Sequence, residues 1–433
     1  MARQTNGLRT AVLVEGCRIP FLRSNTEYKD LMAYDLARMA IKGLLSKTQL
    51  EPEQVQWVIM GNVIANYTTS NVAREAALAA GIPQRVPAFT VTLACVSANR
   101  AITSGVELIQ TGQADVVIAG GTESLSDVPI RFRKRFRQKL IEAQKYRRPL
   151  EYLKFLKGLR LKDLLPEVPA IAEFSTGRTM GQDCDRMAGK FGVTRREQDE
   201  FALRSHHLAA KATEEGLLKD EVIPAYVPPE FRVVEKDNGI RGDSTLEKLS
   251  QLRPAFVKPY GTLTAGNSSY LTDGAAAVLL MAEETARALG YSPKARFVSY
   301  AYTAQDPQEE LLLGPAYATP KALDAAGLTL KDIDVFEFHE AFAAQVLANL
   351  KCLNSDEFAR EHLGREKRVG EVPLEKLNTW GGSLSLGHPF GATGARLVTT
   401  AANRLIKEDG QFALVASCAA GAVGNAIILE RYE

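Results

Sequence analysis

The chain has 433 residues, too many for one simple hydrophobic core and a length that suits two similar lobes with insertions. Hydrophobic residues make up 45% and charged residues 24%, which excludes a collagen-like, disordered or disulfide-scaffold class. The net charge of +2 hides an asymmetry: between Arg131 and Lys162 thirteen Lys/Arg meet two Glu, a local net of +11.

The opening run MARQTNGLRTAVLVEGCRIPF is strand-like by residue 10 and is interrupted by Glu15, so it does not read as a signal peptide. No run of about 18 apolar residues could cross a bilayer. Cys17, Cys95, Cys184, Cys352 and Cys418 are scattered, without CxxC or Cys/His spacing, which points to a reducing compartment and away from a cysteine metal site. The expectation is a cytoplasmic chain.

DLARMAIKGLLSKTQLEPEQVQWVIMGNV reads as a helix, a short acidic turn and a β-rich run from Val55 to Val63. Cys95, in TLACVSANRA, precedes the helical run SANRAITSGVELIQTG, which ends at Gly112 and leads into the strand ADVVIAGG. In the basic segment, Phe132 and Phe136 are followed by Tyr152, Phe155, Leu156 and Leu159 on one helical face, and Pro149 separates two short helices. Two readings fit: a solvated hairpin packed on its own subunit, or a docking surface for a partner subunit or an anionic membrane. Nucleic acid is disfavoured, because no binding motif accompanies the charge. His206, His207 and His362 lie in charged helical patterns and read as solvated.

The second half repeats the first. TPKALDAAGLTLKDIDVFEFHEAF has the same helix, turn and strand order, with its strand at Ile333 to Phe338. His388-Pro389 precedes GATGARLVTTAANRLIKEDG, which ends at Gly410 before the strand FALVASC. Continuous apolar strands alternating with helices predict buried, parallel-rich sheets in two stacked α/β lobes. A pseudo-twofold then brings Cys95 and His388 to corresponding helix starts near a shared cleft.

Four side chains in small-residue turns carry the candidate chemistry. Cys95 faces the orphan N–H groups of a helix start, which favour thiolate, although a lone cysteine also serves as a small core residue. His388 can accept the thiol proton. Cys418, in VASCAAGAVGN, is either an inert buried thiol or part of a turn whose N–H groups face an oxyanion. His339-Glu340 follows a strand and starts the helix EAFAAQVLANL, with Glu340 complementing the helix dipole.

RIPF, NVAREAALAAGIP, AGGTES, MGQDCDRMA, REQDEFALRSHHLAA, RPAF, GTLTAGNSSYLTDGAAA, HEAFAAQ, GGSLSLGHPFGATGAR and CAAGAVGNAIILE together resemble the thiolases over nearly the whole chain. HEAF in place of the commoner Asn-Glu-Ala-Phe, with the basic insert, resembles the 3-ketoacyl-CoA thiolase branch that forms trifunctional-enzyme β-subunits. The resemblance implies an α-β-α-β-α stack: an N-terminal lobe over 1–124 with part of 270–290, a loop domain over 125–270 including the basic insert 131–165, and a C-terminal lobe over 291–433. It implies that His388 deprotonates Cys95, which attacks the 3-keto carbon of 3-ketoacyl-CoA, and that Cys418 makes the second proton transfer. His388 and a water held at the His339 position would meet the enolate oxygen. The N–H groups of Cys95 and Ala420 would meet the tetrahedral oxygen. Ala420 stands where most thiolases carry Gly, and His339 leaves open a water-mediated or a direct contact.

By the same resemblance Arg241 faces the adenosine end of CoA, Ala265 and Ser269 line the pantetheine tunnel, and Met180 and Phe342 wall the site. Lys248 replaces a Ser of some relatives there. CoA is a co-substrate, no cofactor is bound permanently and no metal is implied. A homodimer core and a hydratase/dehydrogenase α-subunit in an α2β2 assembly are the implied partners. Acetoacetyl-CoA thiolase, a condensing ketoacyl synthase and a non-catalytic scaffold are the alternatives.

Overall fold

The computed structural model describes residues 8–167 and 172–432. Apolar runs in the N-terminal half form β1 (Ala11–Arg18), β2 (Trp57–Gly61), β3 (Ala88–Val91) and β4 (Val116–Glu123). The helices α1 (Ala33–Thr48), α2 (Val72–Ala79) and α3 (Ser97–Gln110) join them. Apolar residues of α1 recur every three or four positions, and Leu36, Ala37, Ala40, Ile41 and Leu44 are buried against the outer face of these strands. A loop region follows with α4 (Lys134–Ala143), α5 (Tyr152–Leu156), α6 (Met180–Lys190) and α7 (Arg195–Glu214). The chain re-enters the first half as β5 (Thr272–Ala282), buried along its whole length, before β6 (Ala295–Ala304) opens the second half. There α8 (Gly314–Ala326), β7 (Val335–Phe338), α9 (Ala343–Leu353), α10 (Thr393–Lys407), β8 (Phe412–Ala419) and β9 (Val423–Arg431) complete the fold.

The main sheet runs β7-β8-β9-β6-β1-β5-β4-β2-β3, with the two-residue strand Leu22–Arg23 beside β5. Among the described residues its two halves join through the pairing of Val12 and Leu13 with Arg296 and Ala295. One apolar core gathers residues of α3 and α10 with residues from both halves, such as Ile59, Val117, Val415 and Leu429, so these two helices lie between the halves. A second core joins α1 and α2 to the outer face of the first half, and a third joins α8 and α9 to that of the second. The five layers are therefore those expected. The parallel-rich expectation is corrected: β2 pairs parallel with β3 and β4, and β7 with β8, but the remaining pairings are antiparallel. In each half an antiparallel strand, β5 or β9, returns beside a parallel one, and a continuous apolar run cannot distinguish the two directions.

The duplication holds in detail. α1, the short turn Pro52–Gln54 and β2 mirror α8, the turn Leu330–Asp332 and β7. Gly112 has φ 72°, a left-handed end that suits glycine. After α10 the left-handed residue is instead Asp409, φ 54°, and Gly410 is small because a Cβ there would lie 2.9 Å from that of Asp334. Pro149 separates α4 from α5 as expected, but the apolar stripe divides. Phe136 sets its ring edge-on to Phe132 and Phe155, at 4.9 and 5.8 Å, so these rings hold the hairpin together. Tyr152 of the expected stripe is exposed, and Phe132 is also partly turned out, along with Ile141, Leu150, Leu153 and Leu161 outside the stripe. Leu156, as a side chain, lies outside the described residues, as do residues 1–7, 168–171 and 433 of the expected domains. Among the described residues no helix is long and apolar enough to cross a membrane.

Candidate active site

Between β3 and α3 five residues reverse the chain, and Ala94 does so with φ 46°. A left-handed L-residue costs ~1–2 kcal/mol, and Ser97 holds it in place. The Ser97 hydroxyl donates to the Ala94 carbonyl at 2.6 Å and accepts the Leu93 N–H at 2.8 Å. Cys95 follows, half-buried, two residues ahead of α3. Burial pushes its thiol up to about 12, although the N–H groups of Ala420 and of Cys95 itself face the sulfur and pull the other way. The helix end and both N–H donors favour thiolate, but desolvation outweighs them, so Cys95 rests as a thiol whose proton His388 must take.

His388 lies in the turn after the short helix Ser383–Leu386, and its backbone N–H donates to Thr272 Oγ1 at 2.9 Å. Its Nδ1 is 2.7 Å from Thr393 Oγ1, whose own proton goes to the Pro389 carbonyl at 3.0 Å. That proton being spent, Nδ1 must be the donor, so the lone pair is on Nε2. Nε2 is buried and has no hydrogen-bond partner among the described residues. Burial first and the Arg396 charge second push His388 down to about 3, which keeps it a neutral base. The matching helix starts are offset, since His388 precedes α10 by five residues and Cys95 precedes α3 by two.

The end of β7 delivers His339, whose ring centre is 4.1 Å from that of His388. One side-chain nitrogen or sulfur from each of Cys95, His339 and His388 lies within 4.8 Å of the others. Burial, then His388 and Arg396, hold His339 well below the usual histidine range. Its Nδ1 is 3.0 Å from Ser383 Oγ, and Nε2 has no hydrogen-bond partner among the described residues. Glu340 does not open a helix, because α9 begins at Ala343. Its buried carboxylate accepts from Ser205 at 2.7 Å, Asn378 at 2.6 Å and the Leu384 N–H at 3.2 Å, pinning the segment before His388 to the one carrying His339.

Cys418, buried near the end of β8, has its thiol raised well above the usual range by burial, with Cys95 near enough to add to the effect. In the turn beyond it the left-handed residues are Gly421 and Ala422, φ 79° and 55°, and not Ala420. Alanine at 420 therefore introduces no backbone strain. The segment carrying Ala265 and Ser269 runs between the two histidine turns: the Ser269 N–H donates to the Ala341 carbonyl at 2.9 Å and Leu271 pairs with His388. Ala265 is exposed and Ser269 half-buried. Phe342, edge-on to Phe256 at 5.7 Å, shares an apolar cluster with Cys418, against which Met180 packs.

Arg241 is exposed on a separate loop, outside the Cys95 group, with its N–H donating to His206 Nδ1 at 3.1 Å. His206 is thus not solvated: it is buried, and burial pushes it down to about 4. His207 and His362 are exposed, as expected. Lys248 turns its ammonium to the Asp243 carbonyl at 2.9 Å. Sequence reasoning missed Thr393, Ser383 and Glu123. Glu123 accepts from Asn62 and the Val63, Ile64 and Gly391 N–H groups at 2.9 to 3.1 Å, tying the loop after His388 to the end of β4. An acid closing the apolar strand VVIAGGTE was the available signal.

Residues 11–284 match the thiolase N-terminal domain and residues 291–431 the thiolase C-terminal domain. The trifunctional enzyme subunit beta, mitochondrial, of Homo sapiens is 57% identical over 425 residues, covering 98% of this chain and 89% of that one. The 3-ketoacyl-CoA thiolase of Yersinia pestis (strain Pestoides F) is 46% identical over 419 residues, 97% and 96% of the two chains. Among solved structures, human mitochondrial 3-ketoacyl-CoA thiolase superimposes with a TM-score of 0.83 at 32% identity, over 98% of this chain and 99% of that one.

Proposed function

Because the chain belongs to the thiolase family, we propose that it is a 3-ketoacyl-CoA thiolase of fatty-acid β-oxidation, an acyltransferase that uses CoA to split 3-ketoacyl-CoA into acetyl-CoA and a shortened acyl-CoA. The observation that carries the reading at the site is the unpartnered His388 Nε2 lone pair grouped with the Cys95 thiol, beneath the Ala420 N–H. His388 takes the Cys95 proton as the sulfur attacks the 3-keto carbon. The N–H groups of Cys95 and Ala420 receive the tetrahedral oxygen. The Cα–Cβ bond then breaks, its electron pair moving onto the acetyl-CoA enolate, which Cys418 protonates. Incoming CoA gives its thiol proton to the Cys418 thiolate and attacks the acyl-Cys95 thioester; Cys95 leaves as a thiolate and takes back the proton held by His388, which restores both cysteines and the neutral imidazole. A resting thiol beside a neutral imidazole suits this order, because charge develops only when substrate supplies the oxyanion.

On the thiolase reading CoA enters as co-substrate past Met180, Phe342, Ala265 and Ser269, with Arg241 toward its adenosine end. A CoA-dependent cleavage assay tests the reading: the protein should release acetyl-CoA and Cys95→Ala should not, whereas cleavage retained without Cys95 would refute it. The paired histidines beside a cysteine would also serve a condensing synthase, which needs no second thiol. Loss of thiolysis on removing Cys418 separates the two.

We also propose assembly with a hydratase/dehydrogenase α-subunit around a homodimer core, a reading supported by the β-subunit relatives. The basic hairpin, with Ile141, Leu150 and Leu161 turned outward, is the surface offered to that subunit or to an anionic membrane. Deleting residues 131–162 should abolish co-purification or liposome binding, and no change in either would count against it. Five free cysteines fit a reducing compartment, and we propose the cytoplasm.

A further inference from the structure

Ser383 opens the short helix before His388 and is fully buried, as are His339, Arg396, Glu337 and Arg404. Two groups meet its hydroxyl oxygen: Arg396 Nη2 donates to it at 2.9 Å, and His339 Nδ1 lies 3.0 Å away. A guanidinium has only protons to give, so Arg396 occupies an acceptor position of Ser383. The serine proton is left for His339 Nδ1, which then carries no proton of its own, and the imidazole proton must be on Nε2. With Nδ1 protonated instead, Ser383 would accept twice and its own buried proton would have no partner among the described residues. Arg396 is itself held from the far side. Its Nη1 reaches Glu337 Oε2 at 3.4 Å, and the other Glu337 oxygen accepts from Arg404 at 2.7 Å. Thr393 imposes the opposite tautomer on His388, so two imidazoles 4.1 Å apart present unlike atoms to the site: a lone pair from His388 and an N–H from His339.

We infer that Ser383, clamped by Arg396, is a positioning residue that fixes His339 as the Nε2–H tautomer and so gives the site a direct donor for the thioester oxygen that becomes the enolate oxygen. This rests on the thiolase reading above. In the other tautomer His339 would turn a lone pair toward that oxygen and repel it as charge grows.

The test uses the full chain, labelled with 15N-histidine, as wild type, Ser383→Ala, Ser383→Cys, His339→Asn and the Ser383→Ala/His339→Asn double variant. In the wild type the His339 signals should show a protonated Nε2 and a bare Nδ1, and Ser383→Ala should shift them toward Nδ1–H. Its kcat for thiolysis should fall by about a hundredfold, the lower end of the ~10²–10³ loss for a missing oxyanion donor, with KM for CoA unchanged. Added to His339→Asn, Ser383→Ala should cost nothing more. A wild-type His339 protonated at Nδ1, an unchanged kcat in Ser383→Ala, or an equal loss in the His339→Asn background would each overturn the inference. Should Ser383→Ala fail to fold, Ser383→Cys, a weaker donor, carries the test: a smaller loss with a partial tautomer shift supports it, and no change in either overturns it. A wild type that cleaves no 3-ketoacyl-CoA would sink the thiolase reading alone, because the histidine signals still report on Ser383.

Discussion

Gly121→Ala tests how closely the two lobes must approach to bring His388 to Cys95. Gly121 lies in β4 beside Gly61 of β2, and a Cβ there would sit 1.7 Å from the Gly391 carbonyl oxygen and 2.6 Å from its carbon. Both are backbone atoms of the loop three residues beyond His388. Ordinary contact begins near 3.4 Å, so the loop must retreat by about 1.7 Å. That movement would also strain the 2.9 Å bond from the Gly391 N–H to Glu123 and the 2.9 Å bond from His388 to Thr272. A misplacement of 1 Å at reacting groups can cost ~10²-fold, so kcat should fall at least about a hundredfold. Overpacking should also cost ~1–3 kcal/mol of stability. Gly112→Ala supplies the control, since its left-handed φ of 72° gives a strain of ~1 kcal/mol in open space far from the chemistry. Steady-state thiolysis and thermal melting of both variants make the assay. Wild-type kcat in Gly121→Ala, or an equal loss in Gly112→Ala, would refute the reasoning.

Burial holds His206 down to about 4 against an ordinary 6.5, so the unfolded chain binds its proton first and stability is lost as pH falls from 6.5 toward 4. His206→Asn should therefore recover about 2 kcal/mol relative to the wild type on going from pH 7.5 to pH 5; urea titrations at both values check this, and a pH-independent difference would contradict it. Cys418→Ala should lose multiple-turnover thiolysis, because the enolate then lacks its proton donor and CoA its base, as stopped assays of acetyl-CoA release with and without CoA would show; retained thiolysis would contradict this. Glu340→Gln puts an amide N–H2 where three donors need acceptors, so the melting curve should report a loss of ~1–3 kcal/mol, and an unchanged melt would sink the stapling role.

The layers, the duplication and the four reactive side chains were legible because helix and strand periods and small-residue turns are local properties of the chain. Strand direction was not, since β5 and β9 are buried on both sides whichever way they run. Cys95 shows a different limit: a helix start favours thiolate, but burial that no local pattern reveals opposes it, and the Ala420 N–H that faces the sulfur comes from a segment remote in sequence. His206 looked solvated because its neighbours in sequence are charged, yet it sits on the inner side of α7 beneath the Arg241 loop. Thr393 and Ser383, which meet the Nδ1 atoms of the two histidines, are common residues whose roles arise only when the fold brings the two imidazole rings to 4.1 Å between centres.

The covalent intermediate is the most direct test of the account. Incubation with 3-ketoacyl-CoA in the absence of free CoA, followed by tryptic digestion and mass spectrometry, should place the shortened acyl group on the peptide from Val86 to Arg100, at Cys95. Addition of CoA should then remove it as acyl-CoA. Acylation at Cys418 instead, or full turnover with no acyl group ever found on Cys95, would contradict the assignment of Cys95 as nucleophile.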